Sequence, residues 1–324
     1  MKSLVLFNNK GGVGRTTLGF NIAHMMARQG LRLVVMDYDP QCNITAIFLD
    51  EDRLIELWEP PKPEEARTVV DCIDLVRRGK GEVRMPRLVE ADENLWLLPG
   101  HLSLSRFEQT LAEEWPKITA QDNERALAVT TSLDVLSDLA ARQVDADVVL
   151  FDLGPSLGAL NRAALLACDH VVIPVAPDLF SLQGLRNVGP TLIEWRKDWD
   201  RVGGQGPAKR HDFRPVGYIV QQHLARADRP VTAYAHWASK IPEEFHRHVM
   251  ADDNYTPRPD KQDPFCIATI KHFASLAPLA QQARKPVFDL KQADGAGGGQ
   301  LLAVAKCRSD FQNLVQTIRS RIGL

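Results

Sequence analysis

One stretch constrains this chain more than any other: Asn8-Asn9-Lys10-Gly11-Gly12-Val13-Gly14-Arg15-Thr16-Thr17. It follows the apolar run Ser3-Leu4-Val5-Leu6-Phe7 and leads straight into a helix-patterned segment. Three glycines within four positions let the backbone turn sharply with its N–H groups converging. A polyphosphate can then be held by main-chain donors and by the N-terminus of the following helix. Gly11, Gly12, Val13, Gly14, Arg15, Thr16 and Thr17 are therefore the candidate phosphate-binding residues, with the Thr16 hydroxyl suited to Mg²⁺. The common pattern G-x-x-x-x-G-K-[ST] is missed twice, because Asn9 replaces its first Gly and Arg15 its Lys. A second cation early in the loop, Lys10, and the strand-loop-helix context still favour a phosphate cradle over a plain Gly-rich turn.

Lys10-Gly-Gly-Val-Gly-Arg-Thr-Thr resembles the deviant Walker A loop of the ParA/MinD family of ATPases. The resemblance implies ATP and Mg²⁺ as ligands and a nucleotide-sandwich homodimer in which Lys10 reaches across to the partner's phosphates. The chain departs from the family at Arg15, where members carry the loop's own Lys. Arginine keeps the charge but is a larger planar fork, so the exchange is not conservative at a tight site. ATP binding with slowed hydrolysis is the expected consequence.

The rest of the chain reads as alternating β and α units. Leu18, Ile22, Met25 and Met26 share one helical face, and Gly30 sits where a left-handed cap belongs. Leu31 to Met36 reads as a strand ending in Asp37-Tyr38-Asp39-Pro40-Gln41-Cys42-Asn43. Carboxylates thus emerge at a strand end, where ligand sites of open α/β sheets lie. The stretch is similar to the ParA switch motif, which implies that Asp39 positions the attacking water and that Asp37 supports the metal shell. Asp147 to Phe151 is an apolar run closed by Asp152, the expected Walker B strand, whose carboxylate would hold Mg²⁺ through water. A strand Val216 to Val220 ends in Gln221, where relatives place an adenine-reading Asn, so the resemblance makes Gln221 the base contact.

Helices are expected over Val69–Arg77, Glu124–Arg142, Val231–Met250 and Phe265–Gln282, and the resemblance implies further helices at Ser103–Glu114, Leu157–Ala167, after the Ala176–Leu185 strand exit to about Trp195, and Leu301–Ile322. Further strands are expected at Asn94–Leu98 and His170–Val175. The fold class is a doubly wound, mainly parallel α/β sheet flanked by helices. A single domain over residues 1–324 is expected, with less family-like excursions at about 49–93 and 197–264. Within the latter, His246-Arg247-His248 cannot bind one metal from one helix face, because i and i+2 point apart, and a solvated face is the better reading.

A formal charge of −2 announces no global basic field, and 44% hydrophobic residues are ample for a core. The five cysteines are scattered without a C-x-x-C pair, which argues against a zinc ribbon or a disulfide framework and for a reducing cytoplasm. No apolar run approaches the ~18 residues of a membrane span. The resemblance to DNA-partitioning ATPases makes Arg186, Lys209, Arg210, Arg226, Arg229, Arg284 and Lys285 candidates for nonspecific DNA contact, beside an unidentified partner protein. Phe311, Leu314, Val315, Ile318 and Ile322 form one stripe that could lie on a membrane, as in MinD-like relatives, or pack on the sheet, and packing is the simpler reading. Two other functional classes remain: a non-hydrolysing ATP-dependent regulator that recruits a partner, favoured by Arg15, and an iron–sulfur reductase. The reductase's cysteine near the Asp152 turn is missing.

Overall fold

A computed structural model describes residues 1–59, 67–120, 123–202, 211, 213–222, 231–258, 261–271 and 276–324. Eight strands form a sheet: β1 (Lys2–Leu6), β2 (Leu33–Asp37), β3 (Val89–Asp92), β4 (Leu95–Leu98), β5 (Val148–Asp152), β6 (His170–Val175), β7 (Arg214–Gln222) and β8 (Cys266–Lys271). Their order is β3-β4-β2-β5-β1-β6-β7-β8. The registered pairs are parallel, save β3 against β4. Fully apolar runs such as Leu33-Val-Val-Met and Val148-Val-Leu-Phe, buried at every position, are what a parallel sheet covered by helices on both faces demands.

The chain resolves into two compact units. The first comprises Met1–Leu6, Met26–Val171 and Ile193–Arg214. In it β2 lies between β4 and β5, and β5 pairs with β1. Asp37 and Asp152, the closing residues of β2 and β5, face each other in register. Leu104, Phe107 and Leu111 of helix Leu104–Glu114, together with Leu133, Leu136 and Ala140 of helix Ser132–Gln143, are buried in this unit. A His211–Asp134–Asp169 cluster also lies here, with His211 Nδ1 2.7 Å from Asp169 and Nε2 2.9 Å from Asp134.

The second unit comprises Phe7–Met25, Val172–Leu192 and Pro215–Leu324. Its C-terminal helix, Gly299–Ile322, buries Phe311, Leu314, Val315, Ile318 and Ile322 and packs on β8 and on the turn Val287–Asp289. The stripe is core, as the simpler sequence reading had it. No helix among the described residues is long and apolar enough to cross a membrane.

Several boundaries differ from expectation, each for a physical reason. Phe265–Gln282 is not one helix: Cys266–Lys271 is β8, paired in parallel with β7, and only Ala277–Ala283 is helical. Ile267, Thr269 and Ile270 are β-branched, and a neighbouring strand rewards them more than a helix would. The helix expected over Glu124–Arg142 is interrupted at Thr131, whose hydroxyl donates to the Leu127 carbonyl at 2.8 Å. Val231–Met250 divides into Val231–Ala238, a turn entered through Pro242 at Ile241–Glu244, and a π-turn at Phe245–Val249.

That π-turn overturns the solvated reading of His246. The ring is 6% exposed, stacks on Tyr255 at 3.5 Å, and places Nε2 3.0 Å from Asp263, which also accepts from the Tyr218 hydroxyl at 2.7 Å. The helix after β6 runs past Trp195 to Val202. The excursion after Leu49 carries a second helix, Glu51–Trp58, N-capped by Asp50, and the unforeseen strand β3.

Candidate functional site

The glycine-rich loop belongs to the second unit and is tied at both ends. Phe7 N donates to the Val172 carbonyl at 2.9 Å, and the Asn8 amide reaches the Pro174 carbonyl at 2.7 Å. The Asn8 side chain, fully buried, also accepts from Lys10 N at 3.0 Å. Gly12 and Gly14 hold φ values of 75° and 68°, the left-handed region in which a Cβ is strained. A Cβ at Gly11 or Gly12 would meet no described atom within 4 Å, so this stretch of backbone faces outward. The helix begins at Arg15, and Leu18 N closes its first turn on the Gly14 carbonyl.

Arg15 is 8% exposed, and its guanidinium donates back to the Asn8 carbonyl. The arginine that replaces the ordinary lysine thus staples the two ends of the cradle together. Lys10 points elsewhere: its ammonium lies 2.5 Å from Asp178 and 3.1 Å from the Ser181 hydroxyl. Burial alone would raise the Asp178 pKa, but the bond and charge of Lys10 and the Ser181 N–H outweigh it and hold the carboxyl below its usual range. At Gly184 a Cβ would stand 2.9 Å from Asn8 Oδ1, so the helix after β6 approaches the loop too closely for any side chain there. Gln221, the expected base contact, lies against Gly14, where a Cβ would come within 2.8 Å of its amide oxygen. Asn21 links the helix after the loop to Val287, whose N–H it accepts at 2.9 Å.

The acidic residues belong to the first unit. Asp37 is fully buried. Its Oδ1 accepts Asp39 N at 3.0 Å, and its Oδ2 accepts both Thr45 N at 3.1 Å and the Thr45 hydroxyl at 2.5 Å. Burial pushes its pKa up to about 7 against the pull of the Thr45 and Asp39 donors. Asp39, 3% exposed, accepts Gln41 N at 2.9 Å and lies close to Gly154, where a Cβ would be 3.1 Å from its Oδ1. Cys42 then takes a left-handed φ of 53° before helix Asn43–Phe48. Beyond Asp152, the Asn161 amide ties the turn together by donating to the carbonyls of Gly154 at 2.8 Å and Ser156 at 2.7 Å.

Among the candidate DNA contacts, Arg186 is held by Glu244 through two bonds of 2.8 and 2.5 Å, and Lys285 pairs with Asp294 at 2.7 Å. Arg284 occupies a left-handed cap. Lys209, Arg210, Arg226 and Arg229 lie outside the described residues. Sequence reasoning missed Asp178, Asn8, Thr45 and Asn161. Asp178 carried a usable signal, since it lies just past the carboxyl end of β6 as Asp39 does past that of β2.

Residues 1–200 match the AAA_31 family, an AAA domain. The chain belongs to that family. Within it the chain is ParA-like, a P-loop protein of a group whose members are ATPases. It is 29% identical over 184 residues to the chromosome-partitioning ATPase Soj of Treponema pallidum, a match that covers 57% of this chain and 60% of Soj. Matches to the curated relatives span about two fifths to two thirds of their length. In structure, the chain resembles protein DIP2308 of Corynebacterium diphtheriae with a TM-score of 0.72, at 21% identity and over 99% of both chains. It also resembles a plasmid partition protein of Borrelia burgdorferi bound to AMPPNP, with a TM-score of 0.61, at 16% identity and over 99% of both chains. These two likenesses, from both structures, establish the fold of the ParA-like chain over nearly its whole length.

Proposed function

We propose that this ParA-like protein binds ATP with Mg²⁺ on the Asn8–Thr17 loop and closes into a homodimer around the nucleotide. The dimer acts as a switch for DNA partitioning or for positioning a partner, with slow ATP hydrolysis. The observation that carries the reading is the loop itself: a backbone turn at Gly12 and Gly14 with positive φ, opening a helix at Arg15 and tied down by Asn8. Such a turn presents converging N–H donors and a helix N-terminus to an anion. The AMPPNP of the Borrelia relative and the partitioning activity in the name of Soj support the ligand and the process.

Gly11 to Thr17 would bind the phosphates, and Gln221 would meet the base. Among the described residues no group of three or more His, Cys, Asp or Glu is arranged to hold a metal. That fits Mg²⁺, which keeps water and phosphate oxygens in its shell and asks of the protein only a hydroxyl and a carboxylate or two. Thr16 and Asp152 have that chemistry. Bound there, Mg²⁺ would neutralise phosphate charge. Asp39 would orient the attacking water. Lys10 would have to leave Asp178 to reach a partner's phosphates, and a part-exposed pair of this kind costs only ~1 kcal/mol to open.

Arg15 sets the rate in this scheme. Its guanidinium is engaged with the Asn8 carbonyl, so the loop lacks a compact ammonium dedicated to phosphate oxygens. That favours the second reading, an ATP-dependent regulator with negligible turnover. Calorimetry with ATP and Mg²⁺ tests binding, and steady-state turnover of the wild type beside Arg15→Lys tests the rest. Binding, with turnover at least ~10-fold faster in Arg15→Lys, is expected. Equal steady rates would remove Arg15 as the brake, and absence of nucleotide binding would end the proposal.

A further inference from the structure

Asp37 is the residue that the family resemblance places in the metal shell, yet its carboxylate is spent on other work. Both oxygens are committed to the chain's own donors, and the side chain is fully buried. Oδ1 receives the N–H of Asp39, and Oδ2 receives the N–H and hydroxyl of Thr45. One carboxylate at the end of β2 thus closes the intervening turn into a ring, gripping it at its second residue and again at Thr45 in helix Asn43–Phe48. The turn so closed carries Asp39.

A second contact locks the ring to the neighbouring strand. The Thr45 hydroxyl accepts Gly100 N at 3.0 Å, just past the end of β4. Gly100 is held against Asp37: a Cβ there would lie 2.9 Å from Asp37 Cγ and 3.0 Å from its carbonyl oxygen. The Gly100 carbonyl in turn receives the Trp58 indole N–H at 3.4 Å. The Thr45 hydroxyl therefore serves as donor to one strand end and acceptor from the next, a pairing that valine cannot make and serine can.

We propose that Thr45 is a positioning residue for hydrolysis: with Asp37 and Gly100 it fixes the turn that aims Asp39, and it contributes to turnover rather than to nucleotide affinity. This rests on the ATPase reading above and on Asp39 as the residue that orients water. A turn loosened by a fraction of an ångström leaves the phosphate loop, which Thr45 does not build, unaffected. It does misplace the carboxylate that must meet the reacting atoms, where small displacements cost rate.

The test measures kcat and ATP affinity for wild type, Thr45→Val and Thr45→Ser, each also in an Asp39→Asn background. Thr45→Val is expected to lower kcat by roughly 10–100-fold with the calorimetric Kd for ATP and Mg²⁺ changed less than about threefold. Thr45→Ser is expected to restore most of the rate. In the Asp39→Asn background Thr45→Val is expected to cost nothing further, because the group it aims is already gone. Should Thr45→Val fail to fold, Gly100→Ala probes the same lock and is read in the same way. The proposal is overturned if Thr45→Val costs the same factor in both backgrounds, if it weakens ATP binding as much as it slows turnover, or if serine fails to rescue. A wild type that binds ATP but never turns it over overturns it too and leaves the binding reading standing, whereas a wild type that binds no ATP defeats both.

Discussion

Raising the pH should unlock the first unit at one histidine. The His211 side chain is 4% exposed, and each ring nitrogen faces a carboxylate, Asp169 at 2.7 Å and Asp134 at 2.9 Å. Both nitrogens must donate, so the bound form is the imidazolium. Burial works against that charge, but the hydrogen bonds and charges of Asp134 and Asp169 outweigh it and raise the His211 pKa to about 9. A folded-state pKa above the unfolded value near 6.5 stabilises the fold in full below about pH 6.5 and ceases to do so as pH climbs through about 9. A rise of two to three pKa units corresponds to roughly 3 kcal/mol at about 1.4 kcal/mol each. Asp169, which also accepts Ser3 N at 2.9 Å and is held well below its usual range, acts in the opposite direction. Its contribution is present above the ordinary carboxylate pKa of about 4 and disappears as pH falls below it. Urea unfolding at steps from pH 6 to 10 reads the alkaline limb, with Trp115, Trp195 and Trp199 of the same unit as fluorophores. The wild type should lose roughly 3 kcal/mol more than His211→Gln between pH 6.5 and 10. Parallel pH profiles for the two proteins would refute the charged-histidine account.

Gly14→Ala should weaken ATP binding by roughly tenfold, since φ is 68° and the new Cβ would press on the Gln221 amide; the strain of about 1–2 kcal/mol sets that scale, and calorimetry checks it. Phe311→Ala should cost about 3–5 kcal/mol of stability, because the ring is fully buried. A membrane-binding face would instead leave unfolding unchanged and reduce liposome co-sedimentation. Arg186→Ala should leave the salt dependence of DNA co-sedimentation unaltered, as the side chain is already engaged by Glu244. A slope shallower by about one would restore Arg186 to the DNA face.

What the sequence disclosed and what it concealed divide along the range of the forces involved. The phosphate loop, the Asp37–Asn43 turn and the Asp152 strand were legible because their causes are local: glycines that tolerate positive φ, and acids where apolar strands end. Cys266–Lys271 was misjudged because its apolar spacing suits either period, and only β7 alongside decides for a strand. His246 was misplaced for a related reason, since what buries its ring lies far along the chain, beginning with Tyr255, which stacks on it. Asp263, seventeen positions on, then supplies the partner that makes its burial affordable. Asp37 is the more instructive case, because its place at a strand end was legible and its bonds to its own chain were not. A carboxylate at a strand end has the same appearance in sequence whether its oxygens face a ligand or its own chain, and the difference lies in donors eight residues on, at Thr45, that no motif spacing reports. Asp178 is the mirror image: unremarked in sequence, it receives Lys10 because β6 ends beside the loop within the second unit. Glycine-rich turns and acids at strand ends can therefore be located from sequence, but which backbone donors a given carboxylate secures emerges only from hydrogen-bond accounting in three dimensions.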